Sequence, residues 1–216
     1  MPVAEITRCR LCLVTPPDSD LVTFPRRLAD AVAGGDVASL IVTADTRDPA
    51  IFQRLAETIT PIAQARGTAV LIHNDTRVAG RARADGVHID SGPADLAAAV
   101  EAMRPKMIVG AGGLTSRHDA MTAGESNPDY VFFGRLDGDT GDGIFDKAFD
   151  LAEWWSSMFV IPAIVMGGRS LASVRQAADA NIEFVALGRA VFESDDPAAA
   201  VAEANRLLAT APEPAA

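Results

Sequence analysis

The chain has 216 residues, of which 49% are apolar, and its formal net charge at pH 7 is -10. This length and apolar content predict a single domain with one substantial core over residues 1–208. Residues 209–216 have too few apolar groups to bury, so we expect a disordered tail. The negative charge disfavours nucleic acids and anionic membranes as partners, since both attract basic surfaces.

The amino-terminal sequence has no signal-peptide pattern, and no uncharged apolar run is long enough to span a bilayer. The expected location is therefore the cytoplasm, without a membrane contact. Cys9 and Cys12 form a Cys-x-x-Cys pair, which is compatible with redox chemistry or with half of a zinc site. Because no second cysteine pair is present and the histidines lie far along the chain, we interpret both as buried strand residues.

Apolar runs and helical periodicity alternate along the first half of the chain. Strands are predicted at residues 11–15, 39–43, 70–73 and 86–89, and helices at 25–33, 49–65, 76–84 and 93–103. Asp48 is well placed to cap the second helix. The third strand ends in Asn74-Asp75 and the fourth in Asp90, so this strand–helix–strand unit gathers polar groups where its strands stop.

The second half repeats the same alternation. Strands are predicted at residues 107–110, 130–134, 163–166 and 184–187, and helices at 116–123, 145–156, 171–180 and 197–208. Eight continuously apolar strands with intervening helices indicate a parallel sheet covered on its outer side and closed into a (β/α)₈ TIM barrel. A doubly wound open sheet is the alternative.

The strand ends carry the candidate chemistry, because ligands of parallel α/β folds bind there. Asn74 can orient a ring or hydroxyl, and Asp75 can bind Mg²⁺, although Asn-Asp is also an ordinary helix cap. By strand alternation, the side chains of His73 and His88 point opposite to those of their neighbours, so we expect both to pack or hydrogen-bond behind the site.

Glycine-rich endings follow the last two predicted strands. Gly167, Gly168 and Gly188 allow a phosphate to approach backbone N–H groups, with Arg189 adding charge; the alternative is tight turns alone. The acidic loop at residues 136–142 suggests a cation site, but its spacing favours solvated turn residues. Trp154-Trp155 indicates outer-layer packing or a homodimer face.

Several segments together resemble the thiamine phosphate synthase superfamily, which also contains the thiazole tautomerases. In chain order these are HNDTRVAGRARADGVHI, GAGG, DYVFFG, IPAIVMGG and VALGRAV. The resemblance implies a barrel that joins a pyrimidine methyl diphosphate to a thiazole phosphate, with Mg²⁺ holding the departing pyrophosphate. It also implies that Asn74 contacts the pyrimidine or pyrophosphate, that Asp75 binds the metal, and that Gly167, Gly168 and Gly188 line the thiazole phosphate site. Further candidates are Asp90 for the metal, and Gly112 and Gly134 for the phosphorylated ligands.

The chain departs from the family pattern at the side chains that bind pyrophosphate. The second strand reads IVTAD where the family has Gln-x-Arg-x-Lys, and Gly112 replaces a serine. The loop after the sixth strand reads LDGDTGD where the family offers Thr and Lys. The replacement candidates are Arg47, Arg135 and Arg189 for the cations, and Asp90 or Asp95 for the second metal ligand. Lys106 is expected at the opposite end of the barrel and Lys147 within a helix.

Three hypotheses follow from these observations. The first is a transferase of this family with an atypical pyrophosphate site and small phosphorylated heterocycles as ligands. The second is a non-catalytic barrel that keeps the phosphate site. The third is a tautomerase-like isomerase that uses His118 or an acidic group as proton carrier.

Overall fold

The computed structural model describes residues 8–43 and 48–210, which form a closed parallel barrel. Its strands are β1 (Arg10–Val14), β2 (Ser39–Val42), β3 (Ala69–His73), β4 (Gly86–Ile89), β5 (Ile108–Leu114), β6 (Tyr130–Phe133), β7 (Ala163–Met166) and β8 (Phe184–Leu187). Its helices are α1 (Phe24–Ala33), α2 (Pro49–Gln64), α3 (Thr76–Ala82), α4 (Pro93–Met103), α5 (Arg117–Glu125), α6 (Asp146–Met158), α7 (Ala172–Asp179), α8 (Arg189–Phe192) and α9 (Pro197–Ala209).

Each strand pairs in parallel with the next strand in the chain, and β1 closes the barrel on β8 through Leu11 and Val185. The predicted (β/α)₈ fold is therefore confirmed, and the open-sheet alternative is wrong. The strands read as apolar runs because helices cover one face of the sheet and the barrel interior fills the other.

Alternate strand residues divide into two apolar layers. The outward-facing residues, such as Leu13 and Val165, pack under the helices in one large cluster. The inward-facing residues form the interior cluster, namely Cys12, Val14, Ile41, Leu71, Tyr130, Phe132, Ile164, Met166 and Ala186. The interior is thus a packed core, and space for a ligand lies beyond the strand ends.

Local sequence signals account for most element boundaries. Asp48 caps α2 as predicted, since its Oδ1 accepts hydrogen bonds from the N–H groups of Ala50 at 2.9 Å and Ile51 at 3.4 Å. Strand β5 continues past the predicted end at residue 110 to Leu114, because it pairs with β6 beyond a register shift. The short helix α8 was not predicted.

Two further expectations concern side chains away from the strand ends. Cys9 and Cys12 are free and buried, as expected, and burial raises the pKa of the Cys12 thiol to about 11. Trp155 is buried and stacks on Phe159, while Arg117 lies 4.7 Å above the Trp154 ring, so both tryptophans serve packing within the chain. The homodimer stays a prediction.

The remaining expectations concern the membrane and the tail. Within the described ranges, no helix combines the length and the apolar character needed to cross a membrane. The barrel ends with α9 at Ala209, and residues 211–216 of the predicted tail lie outside the described residues.

Candidate functional site at the carboxyl ends of the strands

Asn74 and Asp90 bind each other through two hydrogen bonds just beyond β3 and β4. The Asn74 Nδ2 donates to Asp90 Oδ1 at 2.6 Å, and the Asp90 backbone N–H donates to Asn74 Oδ1 at 3.0 Å. Asn74 has a left-handed backbone with φ of 52°, a conformation that asparagine tolerates better than most residues. The structure thus brings together two residues that the sequence placed at neighbouring strand ends.

His73 and His88 support this cluster through close polar contacts, which agrees with the expectation that they pack or hydrogen-bond behind the site. His73 Nε2 lies 2.8 Å from Asp90 Oδ1. His88 pairs with His73 in the strand register and faces the barrel interior, where its Nδ1 lies 2.8 Å from Tyr130 Oη. The two-residue period holds here, since Ile72, Val87 and Ile89 pack in the outer layer and the histidines between them face inward.

The charges in this cluster are set by burial and by the close contacts. The hydrogen bond from His73 is the largest cause of the lowered pKa of Asp90, which falls to about 2. Complete burial lowers the pKa of His88 to about 3, and the nearby His73 adds to this shift. At neutral pH the site therefore holds an ionised Asp90 beside a neutral His88.

Two polar atoms in the cluster have no hydrogen-bond partner among the described residues, His73 Nδ1 and His88 Nε2. A Cβ atom on Gly112 would lie 2.4 Å from His88 Nε2. A side chain at position 112 would therefore collide with the imidazole of His88 as it stands.

Asp75 caps helix α3. Its Oδ1 accepts hydrogen bonds from the N–H groups of Arg77 at 3.0 Å and Val78 at 2.9 Å. The interpretation of Asp75 as a helix cap is therefore confirmed. Its role as a metal ligand stays a prediction. Asp95 lies in the first turn of α4 and is exposed.

Asp139 lies in the loop between β6 and α6, and its side chain is only 2% exposed. Its Oδ2 accepts the backbone N–H of Arg189 at 2.6 Å, and its Oδ1 accepts the Arg189 Nη1 at 2.5 Å. The interpretation of the whole loop as solvated turn residues is thus wrong at Asp139, because Arg189, fifty residues along the chain, supplies the compensating charge.

The glycine-rich endings of β7 and β8 contact the same loop. Gly141 O accepts the N–H of Arg169 at 2.8 Å, and Asp142 O accepts the N–H of Ser170 at 3.1 Å. A Cβ atom would lie 2.2 Å from Asp142 O at Gly168, and 2.9 Å from Asp139 Oδ2 at Gly188. Glycine at positions 168 and 188 therefore leaves space for the loop. The N–H of Gly167 donates a hydrogen bond to Ala186 O at 2.8 Å. Phosphate contacts at Gly167, Gly168 and Gly188 stay a prediction.

A cleft of about 910 Å³ opens between the ends of β5 and β6 and the start of α6. Gly134, Arg135, Thr140 and Lys147 are among the residues that line it. The Arg135 side chain is 80% exposed and pairs with Asp137 at 2.9 Å. Arg47, the other predicted replacement cation at a strand end, lies outside the described residues.

Lys147 is the functional candidate that the sequence reasoning missed. It stands in the first turn of α6, on the cleft, although its helical position suggested that it lay away from the site. The available signal was topological, because the first turn of a helix that follows a barrel strand lies at the carboxyl end of that strand. His118, at the start of α5, lines a smaller cleft of about 380 Å³ together with Asp90 and Gly112.

The fold and this site define a (β/α)₈ barrel with charged and glycine-rich loops at the carboxyl ends of its strands. Residues 11–191 match the family described as thiamine monophosphate synthase. The chain therefore belongs to the thiamine monophosphate synthase family, as its motifs indicated.

Relatives agree with this membership over almost the whole chain. A thiamine-phosphate synthase of Hyphomonas neptunium is 35% identical, with 93% of this chain and 94% of that protein covered. One from Rhodospirillum centenum is 34% identical over 94% of this chain and 99% of its own length. The solved structure of a thiamine phosphate pyrophosphorylase from Pyrococcus furiosus has a TM-score of 0.77 at 19% identity and covers 94% of this chain and 97% of its own, which supports the fold.

Proposed function

We propose that this protein is a transferase that joins a hydroxymethylpyrimidine diphosphate to a thiazole phosphate and releases pyrophosphate. The observation that carries the proposal is the similarity to thiamine-phosphate synthases along nearly the full length of the chain. The ligands are accordingly small phosphorylated heterocycles. A cytoplasmic location and a homodimer belong to the same proposal and rest on the sequence alone.

Asn74 is the proposed contact for the pyrimidine substrate, and Asp90 holds it in place. Their mutual hydrogen bonds hold the Asn74 amide in one orientation, so it is positioned before the substrate arrives. His73 restrains the Asp90 carboxylate from a third direction. A rigid polar group of this kind favours one placement of the pyrimidine ring above the packed interior of the barrel.

The donor chemistry at this end of the barrel fits Mg²⁺ bound together with pyrophosphate. No group of three His, Cys, Asp or Glu side chains in the described part of the chain forms a self-contained metal site. Mg²⁺ is usually held by one or two carboxylates plus substrate phosphates, however, and Asp75 and Asp90 each engage only Oδ1 with described residues. When bound there, Mg²⁺ would neutralise charge that develops on the pyrophosphate.

We propose that Lys147 replaces one of the pyrophosphate-binding cations of the family pattern that this sequence lacks. It lines the cleft and has no salt-bridge partner among the described residues, whereas the guanidinium of Arg135 is already paired with Asp137. This ammonium, unpaired among the described residues, is therefore available to the negative charge of the leaving group.

The chain offers a matched control for this role, since its only two lysines are Lys147 and Lys106, and Lys106 precedes β5 at the opposite end of the barrel. With both substrates and Mg²⁺, we expect Lys147→Met to lower the rate of thiamine phosphate formation by about 10²–10³-fold. Lys106→Met should leave the rate unchanged, and Lys147→Arg should restore part of it. Equal rates in the two methionine variants would remove Lys147 from the mechanism.

The proposed function itself has a simpler test. If the wild-type protein forms no thiamine phosphate and does not rescue a synthase-deficient strain, the transferase assignment is wrong. Calorimetry with thiazole phosphate then separates the alternatives, because binding without turnover indicates a barrel that keeps only the ligand site.

A further inference from the structure

The acidic loop, residues 136–143, occupies the region where the sequence predicts a phosphate. Among the residues that the structure describes, Asp139 of this loop is the only buried acidic residue. Both of its carboxylate oxygens are bound by Arg189, one through the backbone N–H and one through the guanidinium. An anion of the protein itself therefore already satisfies the residue predicted to attract a ligand phosphate.

The backbone of the acidic loop uses the neighbouring donors as well. The N–H groups of Arg169 and Ser170, which follow the glycines of β7, donate to Gly141 O and Asp142 O. Three N–H groups and one guanidinium at the ends of β7 and β8 thus point into the acidic loop. A phosphate can reach them only when this loop moves away.

The geometry leads us to propose that Asp139 is an internal competitor for Arg189 that sets the affinity and the specificity of the site for a phosphorylated acceptor. In this scheme, which rests on the proposed function, the phosphate of the acceptor takes the guanidinium and the N–H groups. The Asp139 carboxylate then moves into solvent together with the acidic loop. No covalent bond changes in this step, because one anion replaces another.

Charge decides which ligands succeed in this exchange. When Asp139 leaves, Arg189 keeps only the longer contact from its Nε to Glu193 Oε1 at 3.4 Å, so this partly buried cation still gains from a second anion. A phosphate forms bidentate, charge-assisted hydrogen bonds with arginine, whereas a neutral hydroxyl does not. Asp139 therefore discriminates against an unphosphorylated acceptor, which would have to open the loop without replacing the lost ion pair.

The affinity that is measured falls with the fraction of molecules in which the acidic loop is open. Removing the charge of Asp139 raises that fraction, so phosphate binding should become tighter. By calorimetry with inorganic phosphate and with thiazole phosphate, we expect Asp139→Asn to bind each about tenfold more tightly than the wild type. Asp142→Asn, an exposed change in the same loop, should bind as the wild type does.

The substitution Arg189→Met tests whether the added affinity arises at this site. In protein that carries Arg189→Met, the further change Asp139→Asn should no longer tighten phosphate binding. Equal or weaker phosphate binding by Asp139→Asn overturns the proposal. Because the pyrimidine substrate is absent from this experiment, the result does not depend on whether the protein catalyses the transfer.

A measurement on the wild type avoids any effect of the substitutions on folding. Amide hydrogen exchange of residues 136–143 should become faster when phosphate is added, since the ligand displaces the acidic loop from the donors that hold it. Unchanged or slower exchange in this segment at saturating phosphate would also overturn the proposal.

Discussion

The ends of β3 and β4 and the ends of β7 and β8 are built in different ways. The first pair of ends forms a polar cluster from one continuous strand–helix–strand unit, in which Asn74 and Asp90 contact each other directly. The second pair receives its polar partner, Asp139, from a loop that follows β6. Contacts within one βα unit follow from local geometry, whereas the second arrangement depends on how a separate loop folds onto the barrel.

The largest expected difference concerns the stability contributed by the acidic loop. Asp139→Ala removes two hydrogen bonds to a buried carboxylate and leaves Arg189 with the longer contact to Glu193, so we expect the free energy of unfolding to fall by about 2 kcal/mol. Asp137→Ala removes a carboxylate from an exposed pair in the same loop and should change little. Urea denaturation of the two variants measures the contrast, and similar losses would mean that burial of Asp139 contributes nothing.

The polar cluster at β3 and β4 should respond to acid. The pKa of His88 is lowered to about 3 in the fold, so the unfolded chain binds this proton more readily as pH falls below about 6.5. Above pH 6.5, His88 therefore leaves the free energy of unfolding unchanged. Between pH 6.5 and 3, this free energy falls by up to about 1.4 kcal/mol for each pH unit. The lowered pKa of Asp90 adds a loss between its ordinary value of 3.8 and about 2.

His88→Gln separates these two contributions. Without the imidazole, denaturation midpoints should become nearly independent of pH between 6.5 and 4, even if the variant is less stable at every pH. A slope equal to that of the wild type would assign the acid sensitivity to other groups.

The smallest expected effect separates the cap of α3 from its proposed metal role. Asp75→Ala and Asp48→Ala remove similar caps from α3 and α2, and each should lower stability by about 1 kcal/mol. Asp75→Ser keeps a cap but removes the carboxylate, so it should raise the Mg²⁺ concentration needed for half-maximal activity. An unchanged Mg²⁺ requirement in this variant would leave Asp75 with the cap role alone.

Much of the fold was predictable because the relevant information is local. The bounds of β4, α4, β7 and β8 were predicted to the residue, since proline, glycine and polar residues delimit short apolar or periodic runs. The inward direction of His73 and His88 also follows from strand alternation, but the contacts that they make with Asp90 and Tyr130 depend on other strands.

The candidate site was predictable to a smaller extent. Asn74 and Asp90 follow adjacent strands and were expected together. Lys147 was not expected at the site, because the periodic pattern predicted a helix there without showing that Lys147 lies in its first turn. Asp139 looked like part of a solvated loop, and no local pattern connects it with Arg189.

The amino-acid sequence by itself determined the barrel, the order of its elements and the family, because alternating hydrophobic patterns and contiguous motifs survive without knowledge of contacts. Only the tertiary structure decided which polar groups satisfy one another at the mouth of the barrel. Those partners are distant in the chain, and their pairing depends on burial, since a buried carboxylate such as Asp139 is stable only where a cation meets it.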